Sequence, residues 1–312
     1  MAENPLIGLF KPGTHEVEDL LSSPDHHDRL NEALDLLRNA LVFFKTIPYD
    51  EKTLNGHLRY VQLMLERSTN LVSLTLVANG LLAEKALWPL AEFLKKDPLW
   101  HSVWLNVQEG STNTIFGKKW TLVWGKEELW EELLSTWLCL HPGCFSQSNP
   151  LLFEQILEEI ALQILPQKKT LELYAGVGTI GLALAKICSS LTLVESNPIC
   201  QICFEKSRAK LPKDLNVEYY RGEAKDFVDL LQTCEVLIVD PPRRGIEAGL
   251  MQNILEAKTL CQIIYISCAE ESFLRDAGKL CSAGWELSSR KRYLLFPGTD
   301  HVETLGVFKK SG

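Results

Sequence analysis

Lys169–Glu195, KTLELYAGVGTIGLALAKICSSLTLVE, decides how this chain is read. Thr170–Tyr174 is a short apolar run with a Leu-Glu-Leu alternation, the pattern of a strand. Gly176, Gly178 and Gly181 follow in a G-x-G-x-x-G spacing and lead into the apolar run Ile180–Ile187. Glycines suit a turn that must be tight and that a ligand must approach through the backbone. A second apolar run, Leu191–Val194, ends in Glu195. An acidic residue there can accept hydrogen bonds from both hydroxyls of a ribose. Strand, glycine turn, helix, strand is half of a nucleoside-binding Rossmann-like sheet.

Toward the C-terminus, strand candidates alternate with helical stretches: NVEYYR, VLIVD and IIYIS, then GWELSSRKRYLLF and HVETLGVF. This predicts a parallel α/β sheet closed by two longer runs that pair antiparallel. Toward the N-terminus, Asn149-Pro150 suits a helix start, and Leu151–Leu165 is amphipathic. Residues 1–140 read as a smaller α+β unit, with a helix over 28–44 capped by Asp28. Strands HLRYVQLMLE and LVSLTLVAN, a helix over 81–96, and strands HSVWLNVQ and KKWTLVWG follow. Six of the eight Trp fall between Trp88 and Trp130, and core packing is favoured over base stacking for them. The expected domains are therefore 1–140 and 141–312.

The 312 residues, 46% hydrophobic and 23% charged, suit a globular protein of about two domains. No apolar run approaches the roughly 20 residues of a membrane span, and the acidic N-terminus lacks a signal-peptide pattern. A cytoplasmic protein without a membrane partner is expected. Nine cysteines, none before Cys139, argue against a secreted disulfide framework. Cys200 and Cys203 form a C-x-x-C on an expected helix and read as packed thiols. The net charge of -8 means that any nucleic-acid partner needs a local basic patch, which Arg243, Arg244, Arg290, Lys291 and Arg292 are expected to form at the rim of the site.

Three stretches carry chemistry. In VLIVDPPRRGIE a buried strand ends in Asp240, and the carboxyl ends of such strands are where ligands bind. Many methyltransferases present a polar group there beside the methyl of S-adenosylmethionine. Arg243 and Arg244 suit phosphate contacts. In IIYISCAEES, Cys268 stands where a strand runs out on the same edge, a nucleophile candidate. In LLFPGTDHVETLGVF, Glu303 opens an apolar strand, which is unexpected unless it faces solvent or a site. A nucleophilic thiol plus a carboxylate base is what methylation of a pyrimidine at carbon 5 requires.

LYAGVGTIGL, VDPPRRG, YISC and FPGTDHVET, in this order and spacing, resemble the RNA (uracil-5-)-methyltransferase family, over nearly the whole chain. That family makes 5-methyluridine in ribosomal and transfer RNA. The resemblance implies a class I methyltransferase sheet behind an N-terminal α+β subdomain that helps to hold RNA. It implies S-adenosyl-L-methionine as cofactor, and a structured RNA offering a loop uridine as substrate. Cys268 matches the nucleophile and Glu303 the proton-abstracting base. Gln147, Tyr174, Thr179, Glu195 and Asp240 match cofactor-binding positions, with Glu223 near another. A monomer is expected.

The chain departs from the family in three places. Ser23 stands where the last cysteine of an iron–sulfur cluster would be, so no cluster and no metal are expected. The family's Ser-Cys-Asn-Pro is here Ser267-Cys268-Ala269-Glu270. Glu270 is therefore expected to raise the thiol pKa and to repel phosphate. The acidic net charge implies differently organised RNA binding. A non-catalytic RNA-binding or RNA-folding protein on the same scaffold is the alternative. A nicotinamide-dependent oxidoreductase is disfavoured by Asp240-Pro241-Pro242, and a cytosine-5 RNA methyltransferase by Pro241, where those enzymes carry a cysteine.

Overall fold

The computed structural model describes residues 5–310 apart from 12, 15, 111–113 and 296–301. Its contacts divide the chain into two compact units, Met1–Glu131 and Glu132–Gly312. The division falls somewhat before the 140/141 boundary expected from sequence.

In the first unit β1 (Gly8–Phe10) and β2 (Val17–Asp19) form a short ribbon, followed by α1 (Asp28–Phe43). The cap of α1 is His27, not Asp28: the His27 Nδ1 accepts the Arg29 N–H at 3.2 Å. Strands β3 (Leu58–Glu66) and β4 (Leu71–Asn79), helix α2 (Gly80–Leu94), and strands β5 (Trp100–Gln108) and β6 (Lys119–Gly125) complete the unit. The sheet order is β3-β4-β5-β6, with only β4 and β5 parallel. Such a pair needs a crossover, which α2 supplies. Nine consecutive buried residues in β5 fit a strand covered on both faces. The tryptophans divide: Trp100 and Trp104 are core, whereas Trp88 and Trp124 are 40% and 39% exposed, against the expectation that all serve the core.

Strand β7 (Leu129–Leu133) carries the chain across the division into β8 (Thr136–Leu140), its hairpin partner. Helix α3 (Pro150–Gln163) then starts as its sequence predicts, with Asn149 accepting the Leu152 N–H and proline in the first turn. Strand β9 (Lys169–Leu173), α4 (Thr179–Leu184), β10 (Ser190–Glu195), α5 (Pro198–Arg208) and β11 (Val217–Arg221) follow. After a 3-10 segment, Ala224–Gln232, come β12 (Val236–Val239), α6 (Ala248–Glu256), β13 (Gln262–Ser267) and α7 (Glu270–Ser282). The long strands β14 (Trp285–Tyr293) and β15 (Glu303–Lys310) end the chain.

These seven strands form one sheet in the order β11-β10-β9-β12-β13-β15-β14. The first five are parallel; β15 runs antiparallel between β13 and β14. The order reverses between β9 and β12, and that switch point opens a crevice at the carboxyl ends of the strands. Two apolar clusters, one on each face, fix the sheet: Phe153, Ile156 and Ile160 of α3 belong to one, and Met251, Ile254, Phe273 and Leu280 of α6 and α7 to the other.

Candidate active site

Strand register assembles the site. Val194 pairs with Leu173, and Leu173 with Val239, so the residues one step on, Glu195, Tyr174 and Asp240, form a row across three strands. On the antiparallel side Ser267 pairs with Thr304, so Cys268 and Glu303 stand opposite each other one step beyond. Val239 pairs with Tyr265, which sets Cys268 two residues further along than Asp240. At the usual strand rise this is about 7 Å. The row of expected cofactor-binding residues and a thiol–carboxylate pair thus share one sheet edge.

The glycine turn explains itself residue by residue. Tyr174 is held at φ 62°, a left-handed conformation that costs a non-glycine residue energy and marks the exit of β9 as strained. Gly176 follows at φ 56°, and a Cβ there would meet nothing within 4 Å, so the turn faces open space. At Gly181 a Cβ would stand 2.2 Å from Oε2 of Glu172, because that carboxylate already accepts the Gly181 N–H at 2.9 Å. Glu172 is buried in the sheet, and burial pushes its carboxyl up to about 8.

Glu195 is pre-aimed. Its carboxylate accepts the N–H groups of Gly176 at 3.1 Å, Ser196 at 2.8 Å and Asn197 at 2.8 Å. Thr179 opens α4, half-buried. Gln147 lies half-buried in the loop before α3, and among the described residues no contact ties its side chain to the row. The loop itself is tethered beside Glu195, since Asn197 Nδ2 donates to the Gly143 carbonyl at 3.0 Å. Glu223 is exposed beyond the end of β11. The whole of FPGTDH, residues 296–301, lies outside the described residues.

Cys268, Asp240 and Glu303 feel one another. Burial lifts Glu303 to about 7, and burial followed by the Glu303 charge lifts Asp240 to about 8. The Cys268 thiol is raised by burial, then by Glu303 and Asp240, and Arg243 opposes them. Glu270 is not among the causes, contrary to the sequence expectation. Its carboxylate is ion-paired to Arg290, and Arg292 approaches it at 3.5 Å. The expected basic rim is largely neutralised in the same way: Arg244 pairs with Glu247 at 2.6 Å and Lys291 with Glu159 at 2.5 Å. Arg243 has no ion pair among the described residues.

Sequence reasoning missed two supports of this edge. The Tyr219 hydroxyl donates to the Gly176 carbonyl at 3.0 Å while its ring stacks on Phe204 at 4.5 Å. Asp276 is fully buried beneath the loop after Asp240. Its signal was present: it falls on the apolar stripe of α7 with Phe273, Ala277 and Leu280. Elsewhere, Cys200 and Cys203 are buried as expected, but their thiols also meet Cys144, and Cys203 meets Cys139. Among the described residues no group of three or more His, Cys, Asp or Glu side chains is arranged to hold a metal ion. No helix among them is long and apolar enough to cross a membrane.

The strand order and the site at its switch point define a class I S-adenosylmethionine-dependent methyltransferase fold. The chain aligns over 94% of its length with Pyrococcus abyssi tRNA (uracil-54, C5)-methyltransferase, solved in complex with S-adenosyl-L-homocysteine. The TM-score is 0.74 and the identity 22%, with 70% of that chain covered. The fold is also similar to that of the M. jannaschii tRNA m1G37 methyltransferase, which matches 84% of this chain and 78% of its own at a TM-score of 0.52 and 10% identity. No family model matches. In sequence the chain is 36% identical over 318 residues to an uncharacterised RNA methyltransferase of Protochlamydia amoebophila, covering 99% of this chain and 82% of that protein. It is 26% identical over 312 residues to an uncharacterised RNA methyltransferase of Listeria monocytogenes, covering 96% and 67%. The chain belongs to this family of bacterial RNA methyltransferases.

Proposed function

We propose that the chain methylates carbon 5 of a uridine in RNA through a covalent bond between Cys268 and the base. The observation that carries this is the β13–β15 register, which sets Cys268 opposite Glu303 on the edge that bears Glu195, Tyr174 and Asp240. The uracil-54 target in the name of the Pyrococcus abyssi protein, and its complex with S-adenosyl-L-homocysteine, support the same reading.

The residues present fit the cofactor. The open space at Gly176 would admit it, the oriented Glu195 carboxylate would accept from ribose hydroxyls, and Asp240 would face its sulfonium end. Tyr174, Thr179 and Gln147 complete the expected contacts. S-adenosylmethionine supplies an electrophilic methyl group.

Carbon 5 of uracil is a poor nucleophile until carbon 6 is attacked. Cys268 adds to carbon 6 as thiolate, and the electron pair passes to carbon 5 and its conjugated carbonyl. Carbon 5 then takes the methyl. Glu303, ionised, removes the carbon-5 proton, the double bond re-forms, and the thiolate leaves. The base must leave its stack to reach the thiol, so a loop uridine is the substrate. Arg243 opposes the carboxylates' pull on Cys268 and favours the thiolate. The Glu270–Arg290 pair removes the electrostatic objection to catalysis raised by Glu270.

A denaturing gel of protein, cofactor and substrate RNA tests the reading. Glu303→Gln should trap a slow-migrating adduct of methylated RNA, as should the unmodified protein on 5-fluorouridine RNA. Cys268→Ala should give none. Intact cofactor binding without any adduct from the Gln variant or the fluorinated RNA would favour the non-catalytic RNA-binding alternative. Loss of 5-methyluridine at one site in a deletion strain would then tell ribosomal from transfer RNA.

A further inference from the structure

We propose that Asp276 is a positioning residue that locks the Pro241–Ile246 loop to the Cys268 segment; this rests on the uridine-methylating reading above. Three elements converge on one carboxylate. Its Oδ2 accepts the Ile246 N–H at 2.9 Å and the Tyr265 hydroxyl at 3.0 Å. Its Oδ1 accepts from Arg275 Nε at 3.1 Å, with Lys279 Nζ at 3.9 Å. Arg275 reaches on to donate to the Arg244 carbonyl at 2.7 Å. Ile246 and Arg244 belong to the loop that begins at Asp240. Tyr265 lies on β13 three residues before Cys268, and Asp276 lies on α7, which starts two residues after it.

The loop is shaped to this grip. The Gly245 N–H donates to the Pro242 carbonyl at 2.7 Å, closing a tight turn, and Gly245 sits at φ 78°. A Cβ there would stand 2.4 Å from the Arg275 guanidinium and 2.5 Å from Asp276 Oδ2. The turn therefore presses directly on the clamp. A buried carboxylate is costly to keep, and well-packed apolar groups commonly give equal or better stability. What it supplies here is direction. It takes two hydrogen bonds from one side and one from the other, so loop, strand and helix meet in a single geometry. Arg243, in the middle of that loop, and Asp240, at its root, then hold a fixed relation to the thiol.

Asp276→Asn is the sharp variant. An amide keeps the size but turns one of the two acceptor sides into a donor that faces N–H or O–H groups. Single-turnover methyl transfer per cofactor-occupied site should fall tenfold or more, as an error of about 1 Å in placement predicts. The number of cofactor sites per chain should be unchanged. Hydrogen exchange over 241–247 should rise while the β9–β10 peptides keep their protection. Tyr265→Phe, which removes one donor and leaves the ring and the carboxylate's charge in place, should show the same pattern at about threefold. Gly245→Ala should reproduce the loss with the carboxylate intact. A rate per occupied site equal to that of the unmodified protein in all three variants, or unchanged exchange over 241–247, overturns the proposal. If the unmodified protein forms no adduct on 5-fluorouridine RNA, the functional reading fails by itself, and the clamp stands or falls on the exchange measurement alone.

Discussion

The acids that support the first unit differ from those at the strand ends of the second. In the first, the buried Glu84 and Glu131 and the half-buried Asp19 each have a cation, as does Asp276 in the second, which takes Arg275. Glu84 takes Lys119 at 2.5 Å and Thr121 at 3.1 Å, Glu131 takes Arg67 at 2.5 Å, and Asp19 takes Arg38 at 2.9 Å. Asp19 is accordingly held below the usual carboxylate range, chiefly by the Ile7 N–H, with Arg38 helping. In the second, Glu172, Asp240 and Glu303 sit at or near the strand ends with no ion pair among the described residues, and all three are pushed up to about 7 or 8. Pairing quiets a carboxylate and holds a fold together. Leaving it unpaired costs stability and keeps its proton exchangeable near neutral pH, which is what proton-transfer chemistry needs. The difference separates scaffold from site without reference to any motif.

The largest expected effect is on chemistry. Glu303→Gln should lower completed methyl transfer by about 10²–10⁴-fold. Glu84→Gln, an equally buried but paired acid, should leave the rate per folded molecule within about threefold. Single-turnover release of methylated RNA from both variants decides it, and equal losses would break the contrast. Next comes the cofactor row. Glu195→Ala removes a charged acceptor already oriented by three N–H groups and should weaken cofactor binding by about 1.5–3 kcal/mol in calorimetry.

The third concerns pH, and the sign follows from proton counts. Glu172, Asp240 and Glu303 keep their protons in the folded state up to about pH 7–8, whereas the unfolded chain releases them near its ordinary carboxylate values. The folded state binds more protons in that window, so the stability of the second unit should fall as pH rises from about 5 to 8. Glu172→Gln should flatten the urea-denaturation profile there by about 1 kcal/mol per pH unit. Asp19, with its lowered pKa, acts the other way: its contribution is present above the unfolded value and lost as pH falls through the folded one. A second unit that gains stability between pH 5 and 8 would contradict the raised values.

The smallest effect is on RNA affinity. Arg243→Ala should reduce the log–log salt slope by about 0.7, one phosphate contact on single-stranded RNA. Arg290→Ala should change it by less than half as much, because Glu270 already neutralises Arg290. Equal changes would mean that RNA displaces Glu270 from its partner.

Much of the site was legible because its residues sit at strand ends. Asp240 and Cys268 each close an apolar run, and period-2 reasoning marks such exits in any parallel sheet. Glu303 betrayed itself as an acid opening an apolar strand. The basic rim was misjudged because charge pairing is a matter of distance in space: Lys291 finds Glu159, and Arg290 finds Glu270, across different elements. The α1 cap went to His27 because an imidazole nitrogen can accept the N–H that an Asp would otherwise take. Trp88 and Trp124 went to the surface because composition carries no information on which face of α2 or β6 meets the sheet.

The sequence by itself determined the local conformations and the ligand-facing turn, since glycine spacing, alternation and caps act over a few residues. It also determined which residue types stand at each strand exit. Only the tertiary structure decided that the last strand inserts between β13 and β14. That antiparallel insertion puts Glu303 beside Cys268, and the packing of α7 under the Asp240 loop puts Asp276 where three donors meet it. Both depend on contacts between segments distant in the chain, whose partners are chosen by the burial of whole faces and not by any local pattern.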